Sequence, residues 1–184
     1  MRLRSYTSRM EEDNMTRFAA PAALVMLLSV IAIPALAQQK QHVSYKTSSE
    51  NSKYLQQLNV EVGDVPNHIV RVFDLHRTHP DGPMINGSKL VEESIRGTTE
   101  LSGGSGSSTV YGIYVLASGD KFFAKILQVN QNNDGKVTAT GIGPITGGTG
   151  KLAEMHGVVS FVVNFDVKSG FNEGQTDIDY TMGK

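Results

Sequence analysis

From Leu58 onward the chain reads as short runs in which apolar and polar residues alternate, each run closed by Gly, Asn, Asp or Pro. Leu58–Val62 sets Leu, Val and Val against Asn and Glu. Similar runs cover Ile69–Arg77, Glu93–Leu101, Thr109–Leu116 and Lys121–Val129, and then Lys136–Ile142, His156–Val167 and Thr176–Tyr180. A period of two sends successive side chains to opposite faces of a strand. Short strands at this spacing predict an all-β barrel or sandwich. Ser118-Gly119-Asp120 and Asn133-Asp134-Gly135 each join two runs. Asp-Gly suits the positive φ angles of a tight hairpin, and links this short force antiparallel neighbours.

Some runs are apolar on both faces, such as 158–163 (VVSFVV) and 122–127 (FFAKIL). A strand with one wet face alternates more cleanly. Two apolar faces fit a wall covered by another subunit, in a homo-dimer or trimer. They equally fit an inner face lining an apolar pocket, or a helix or loop laid over one side.

The N-terminal segment has a different pattern. Met15–Ala37 has a basic start at Arg17, an apolar run over Ala19–Ile33 and the small-residue end Ala35-Leu36-Ala37. That is the layout of a secretory signal peptide. Its apolar run is shorter than the ~20 residues that span a bilayer. Residues 1–37 are therefore expected to be removed, leaving a secreted or periplasmic protein with no stable membrane span. Acidic residues at Glu11, Glu12 and Asp13 make Met15 the expected true start. Residues 38–57 are rich in Gln, Lys, Ser and Asn and read as a flexible polar leader. The barrel domain is expected over 58–184.

Cleavage after Ala37 leaves 147 of the 184 residues, enough for one domain with one core. It removes Arg2, Arg4, Arg9 and Arg17 with three acidic residues, so 13 basic and 15 acidic residues remain, a net charge of -2. Such a balance has no basic footprint for nucleic acid. The chain has no cysteine, so an exported domain must hold together by burial and hydrogen bonding. Closing a sheet into a barrel removes its unpaired edges.

Several residues resemble a known pattern. These are Val110–Leu116, the turn Gly119-Asp120, and Gly147-Gly148-Thr149-Gly150-Lys151 followed by Gly157. Together they resemble the allene oxide cyclase-like barrel family, which includes the plant dirigent proteins. Gly63-Asp64-Val65-Pro66, His76-Arg77 and 172–176 (NEGQT) resemble secreted bacterial members of that family. The resemblance runs from about Val62 to the C-terminus. It implies a single eight-stranded antiparallel, calycin-like barrel, with Gly147, Gly148, Gly150 and Gly157 as structural glycines. The plant cyclases rearrange a fatty-acid epoxide inside the barrel, and dirigent proteins orient phenoxy radicals. No functional residue of either group maps onto this chain by motif, and the absence of cysteine departs from the cyclase pocket.

No cofactor motif survives inspection. Ile145–Leu152 has the Gly-Lys of a phosphate loop, but Ile145 stands where that loop needs glycine and Leu152 where it needs Ser or Thr. Residues 130–135 (NQNNDG) would need a closing Glu at Gly141 to hold calcium. Asn86-Gly87-Ser88 is a glycosylation sequon, relevant only in a eukaryotic secretory pathway.

The polar residues on strands supply the candidate chemistry. One face of the Ile69–Arg77 run carries Val70, Val72, Asp74 and His76, and the other Ile69, Arg71, Phe73 and Leu75. Asp74 and His76 lie two apart, ~7 Å between Cα atoms, and could act as an acid–base pair. His79 adds a second imidazole, but zinc requires at least three convergent ligands and no third has local spacing. Arg96 and Glu100 share a face ~13 Å apart, so each needs a partner from a neighbour, such as Asp74 or the surroundings of Glu92 for Arg96. Tyr111 and Tyr114 point to opposite faces, so one of them meets the lumen. The candidate lumen cluster is thus Asp74, His76, Arg96, Glu100 and Tyr114; if these charges point outward, they are ordinary surface groups. Two functions follow. One is a binding module for a small apolar or amphipathic ligand or a protein partner. The other is an isomerase- or cyclase-like enzyme acting on a hydrophobic substrate.

Overall fold

The computed structural model describes residues 39–166, 169 and 172–183, all within the unit Leu36–Lys184. The expected export segment and its expected cleavage point lie outside the described residues. Ten strands occur in chain order: β1 (Gln41–Ser48), β2 (Ser52–Glu61), β3 (His68–Thr78), β4 (Met84–Ile85), β5 (Ser88–Ser102), β6 (Ser105–Leu116), β7 (Lys121–Asn133), β8 (Lys136–Gly148), β9 (Met155–Asp166) and β10 (Asn172–Met182). They form one antiparallel sheet in the order β1-β10-β9-β8-β7-β6-β5-β3-β2, with β4 added to β5. Turn chemistry explains the short links. Asp134 (φ 54°) and Gly135 (φ 90°) turn the β7–β8 hairpin, and Asn86 (φ 46°) and Gly87 (φ 80°) turn β4 into β5.

The two ends of this sheet path are neighbours in the chain. Three residues separate β1 from β2, and Ser52 Oγ donates to the Ser48 carbonyl at 2.7 Å. A sheet whose ends are tied that closely must curl round on itself. Among the described residues no ladder joins β1 to β2, so the barrel is open at this seam, and these residues form ten strands rather than the expected eight. Eight staves are recovered by reading β1 and β2 as two halves of one interrupted stave and β4 as an addition.

The expected flexible leader over 38–57 is replaced by β1 and the first half of β2. Its polar composition hides a period of two: Val43, Tyr45 and Thr47 turn inward while His42, Ser44 and Lys46 are exposed outside. All eight β1 residues pair with β10, from Gln41 opposite Tyr180 to Ser48 opposite Glu173.

The core fills one end of the barrel. Leu90, Tyr114, Phe122, Ile126, Leu152, Met155, Val159, Ile178 and Tyr180 pack together there. Tyr114 and Phe122 stack with ring centroids 4.3 Å apart. Each large side chain buried in this way contributes about 1.5–3 kcal/mol. Gly150 sits at φ 52° in the turn before β9, and a Cβ there would collide with the Asp120 carboxylate. Gly148 and Gly157 meet a different limit, since a Cβ on either would strike the backbone oxygen of Leu152 or Asp179. Gly147 has open space around it. The two-faced apolar strands have inner residues in the core and outer residues in solvent: Leu127, Val129, Ile142, Val158 and Val162 stay exposed on the wall of β7–β9.

Candidate functional site

At the other end of the barrel the lumen is hollow. A cavity of about 780 Å³ is lined by the inward residues of β2, β3 and β5 to β9, together with Asn172 of β10. Its apolar wall includes Phe73, Ile95, Val110, Ile126, Phe161 and Val163. Two of these rings lie over glycine. Phe73 pairs across the ladder with Gly97 and Phe161 with Gly141, and a Cβ on either glycine would press into the ring. The missing side chains give the rings a place to lie flat against the wall.

The floor of this cavity is charged. Arg77 of β3, Glu93 of β5 and Tyr114 of β6 all line it, and all three are buried. The ladder sets them side by side, with Arg77 opposite Glu93 and Glu93 opposite Tyr114. Arg77 Nη1 lies 3.6 Å and His79 Nε2 3.4 Å from Glu93 Oε2, ion-pair distances without hydrogen-bonding geometry. Arg77 Nε donates to Ser52 Oγ at 3.1 Å, which ties the floor to the seam. The His79 ring meets Tyr45 edge-on at 5.1 Å.

Burial and partners decide the charge states. Burial works against the Glu93 charge, but His79 and Arg77 outweigh it and hold its pKa below the usual carboxylate value. Burial, reinforced by the Glu93 charge, pushes the Tyr114 and Tyr45 phenols well above their ordinary value. The floor is therefore an ionised carboxylate among a guanidinium, an imidazole and two protonated phenols.

A second polar element climbs the wall towards the mouth. Gln128 Nε2 donates to Asn130 Oδ1 at 2.6 Å, Asn130 Nδ2 donates to Ser108 Oγ at 3.0 Å, and Ser108 and Thr99 hydroxyls meet at 2.9 Å. Asn172 of β10 is buried and lines the same cavity, and its Oδ1 lacks a hydrogen-bond partner, as does Glu93 Oε2 at the floor. Unsatisfied buried acceptors next to a cavity are groups that a ligand donor can meet. On the far side of Arg77 a smaller cavity of about 380 Å³ lies between β1 and residues 78–83.

Of the cluster expected from sequence, only Tyr114 reaches the lumen. Asp74, His76, Arg96 and Glu100 lie on the opposite parity of β3 and β5, on the outer face. The register pairs Asp74 with Arg96, and Arg96 Nε donates to Asp74 Oδ2 at 2.9 Å across the outside of the barrel. Glu100 Oε1 is 3.1 Å from His68 Nε2, whose other nitrogen is 2.6 Å from Asp64. His76 and His79 do not converge, since one faces out and the other is buried. Among the described residues no group of His, Asp or Glu is placed to hold a metal ion.

Arg77, Glu93 and His79 were missed as site residues, although parity carried a signal. Glu93 shares its face with Ile95 and Leu101, and Arg77 shares its face with Ile69, Phe73 and Leu75. A charge in phase with an apolar stripe points into the core.

Two solved structures, the pterocarpan synthase dirigent proteins GePTS1 and PsPTS1, superpose on this barrel. Each is 14% identical with a TM-score of 0.50, covering 79% and 80% of this chain and 89% and 97% of their own. The chain has a dirigent-like fold. No family model and no curated protein sequence matches it. At this identity the likeness concerns the barrel alone, and the lumen described above is built from this chain's own residues.

Proposed function

We infer that this protein binds a small amphipathic molecule in the lumen of the barrel. The observation that carries this reading is a hollow apolar lumen ending on a buried charged floor. Its volume falls in the range of ~300–1,000 Å³ common for small-molecule sites. Buried charges cost several kcal/mol each in desolvation, of the order of what their pairing returns. A solid apolar core would hold the barrel as well, so stability gives little reason for the cluster. A ligand with a polar end gives one. Its apolar body would lie against Phe73, Ile95 and Phe161, and its polar end would meet Glu93, Arg77 and Tyr114. The dirigent-like fold supports a role in holding or guiding a small molecule.

A second reading has its own observation. Glu93 is ionised and Tyr114 protonated on adjacent strands. They place a proton acceptor and a proton donor on one volume, as an isomerase- or cyclase-like enzyme uses, with both pKa values displaced away from neutrality, which weakens each role until a substrate changes their surroundings. Native mass spectrometry of the purified protein, followed by incubation with any co-purified compound, separates the two. A binding protein returns the compound unchanged, and an enzyme converts it. No retained compound, together with no binding from a broad amphipathic panel, overturns both. Export with cleavage after Ala37 belongs to the same reading, and N-terminal sequencing of mature protein beginning at Gln38 would support it.

A further inference from the structure

The charged floor is one of two polar rows inside the barrel. The floor row crosses the ladder through Arg77, Glu93 and Tyr114 on β3, β5 and β6. Six residues nearer the mouth on each of these strands, the register sets Arg71 opposite Thr99 and Thr99 opposite Ser108. Asn59 of β2 and Gln128 of β7 continue this outer row on either side. At ~3.3 Å per residue the two rows are ~20 Å apart along the strands. Phe73, Leu75, Ile95, Val110 and Gly112 line the lumen between them. Ile69 and Leu101 line it beyond the outer row, so that row is not the solvated rim.

Arg71 gives the outer row its chemistry. It is half-buried and lines the cavity, and its Nε donates to Asn59 Oδ1 at 2.7 Å. Among the described residues Arg77 and Arg96 each face a carboxylate, while Arg71 forms no ion pair. A guanidinium in the lumen without a counter-charge favours an anion there, bound through its parallel N–H groups. The neighbouring hydroxyls add a donor. Thr99 and Ser108 share one hydrogen bond at 2.9 Å, and Ser108 also accepts from Asn130, so one hydroxyl hydrogen of the pair is left over. The floor has the opposite need. Glu93 Oε2 is an acceptor without a hydrogen-bond partner, and the ionised Glu93 repels a second carboxylate. An ammonium would face Arg77. A hydroxyl carries no charge and can donate to Glu93.

We propose that the lumen takes an elongated molecule with a carboxylate at one end and a hydroxyl at the other, the carboxylate held by Arg71 in the outer row and the hydroxyl by Glu93 at the floor. This rests on the lumen-binding reading above and adds the class of the ligand and its direction. The span suits a chain. About twelve carbons with an oxygen at each end extend ~16 Å at ~1.2 Å per bond, a third of the extended residue length. The long Arg71 side chain covers the remainder.

Isothermal titration calorimetry at about pH 7.5, where a free carboxyl is ionised, tests this with four probes of equal chain length. They are terminally hydroxylated dodecanoic acid, dodecanoic acid, dodecanol and dodecanedioic acid. The hydroxy acid should bind the native chain at least about tenfold more tightly than any of the other three. Arg71→Met should erase its advantage over dodecanol and leave dodecanol binding unchanged, with circular dichroism reporting an intact fold. Equal binding of the hydroxy acid and dodecanol by the native chain overturns the proposal while a lumen site stands. So does an advantage fully retained in Arg71→Met, or a diacid that binds as tightly as the hydroxy acid. Binding of none of the four overturns the proposal together with the lumen reading.

Discussion

The two polar systems of this barrel use the same residue types on opposite faces of the same strands. Inside, Arg77, His79 and Glu93 meet at 3.4 to 3.6 Å with all three side chains buried. Outside, Arg96 and Asp74 meet at the shorter distance of 2.9 Å, with the Arg96 side chain 54% exposed. The outer pair has the better hydrogen bond, and water solvates its exposed Arg96 guanidinium, while Asp74 Oδ1 is buried without a hydrogen-bond partner. The inner cluster has poorer geometry and no water to fall back on, so each member depends on the others. Burial, more than contact distance, separates a structural decoration from a candidate site.

Breaking the inner cluster should produce the largest effect. Arg77→Ala leaves Glu93 buried beside one imidazole, and a loss of about 3–5 kcal/mol is expected, read as a fall in melting temperature. Replacing the pair together by apolar residues of similar size, Arg77→Met with Glu93→Leu, should leave stability nearly unchanged or raise it. A large loss in the double variant would mean that the cluster holds the fold rather than serving the lumen. Next in size is Gly150→Ala, which puts a Cβ into both a left-handed backbone and the Asp120 carboxylate. It should cost at least about 1 kcal/mol in a denaturant titration. Arg96→Ala on the outer face should cost no more than about 1 kcal/mol, and less at high salt.

The smallest effect concerns pH and sharpens the contrast from the outer side. Hydrogen bonding to Asp64 and Glu100 raises the His68 pKa from its ordinary 6.5. Its contribution is fully present below that value and is lost as pH rises through the raised one. Asp64 is lowered from 3.8 by the same bond, so its contribution is present above 3.8 and lost as pH falls through the lowered value. Native protein should therefore lose a little stability on passing from about pH 6 to pH 8, and His68→Ala should flatten that slope. An unchanged slope would assign the pH dependence to another group.

Much of the fold was legible because strand period and turn chemistry are local. All eight expected runs lie within or largely overlap β2, β3 and β5 to β10, and the Asp-Gly turn sits where β7 meets β8. β1 escaped because Val43, Tyr45 and Thr47 are only three inward residues in a polar stretch, and their partner strand lies some 130 positions away. The two faces of β3 were separable by parity, but which face turns inward depends on register with β5, a long-range property. That is why the sequence leaves open whether Asp74 and His76 face the lumen and does not single out Arg77. The Arg77–Glu93 contact likewise exists only through the ladder.

The central claim, that the charged floor receives the polar end of an amphipathic ligand, is tested most directly by one titration. An amphipathic fluorescent probe is titrated into the native chain and into the Arg77→Met, Glu93→Leu double variant, with melting temperature followed in both. The native chain should bind and be stabilised, by about 2.7 kcal/mol at a hundredfold excess over the dissociation constant. The double variant should stay folded and bind at least about tenfold more weakly. Equal affinity in the two proteins, or no binding by the native chain across a panel of such probes, would contradict the account.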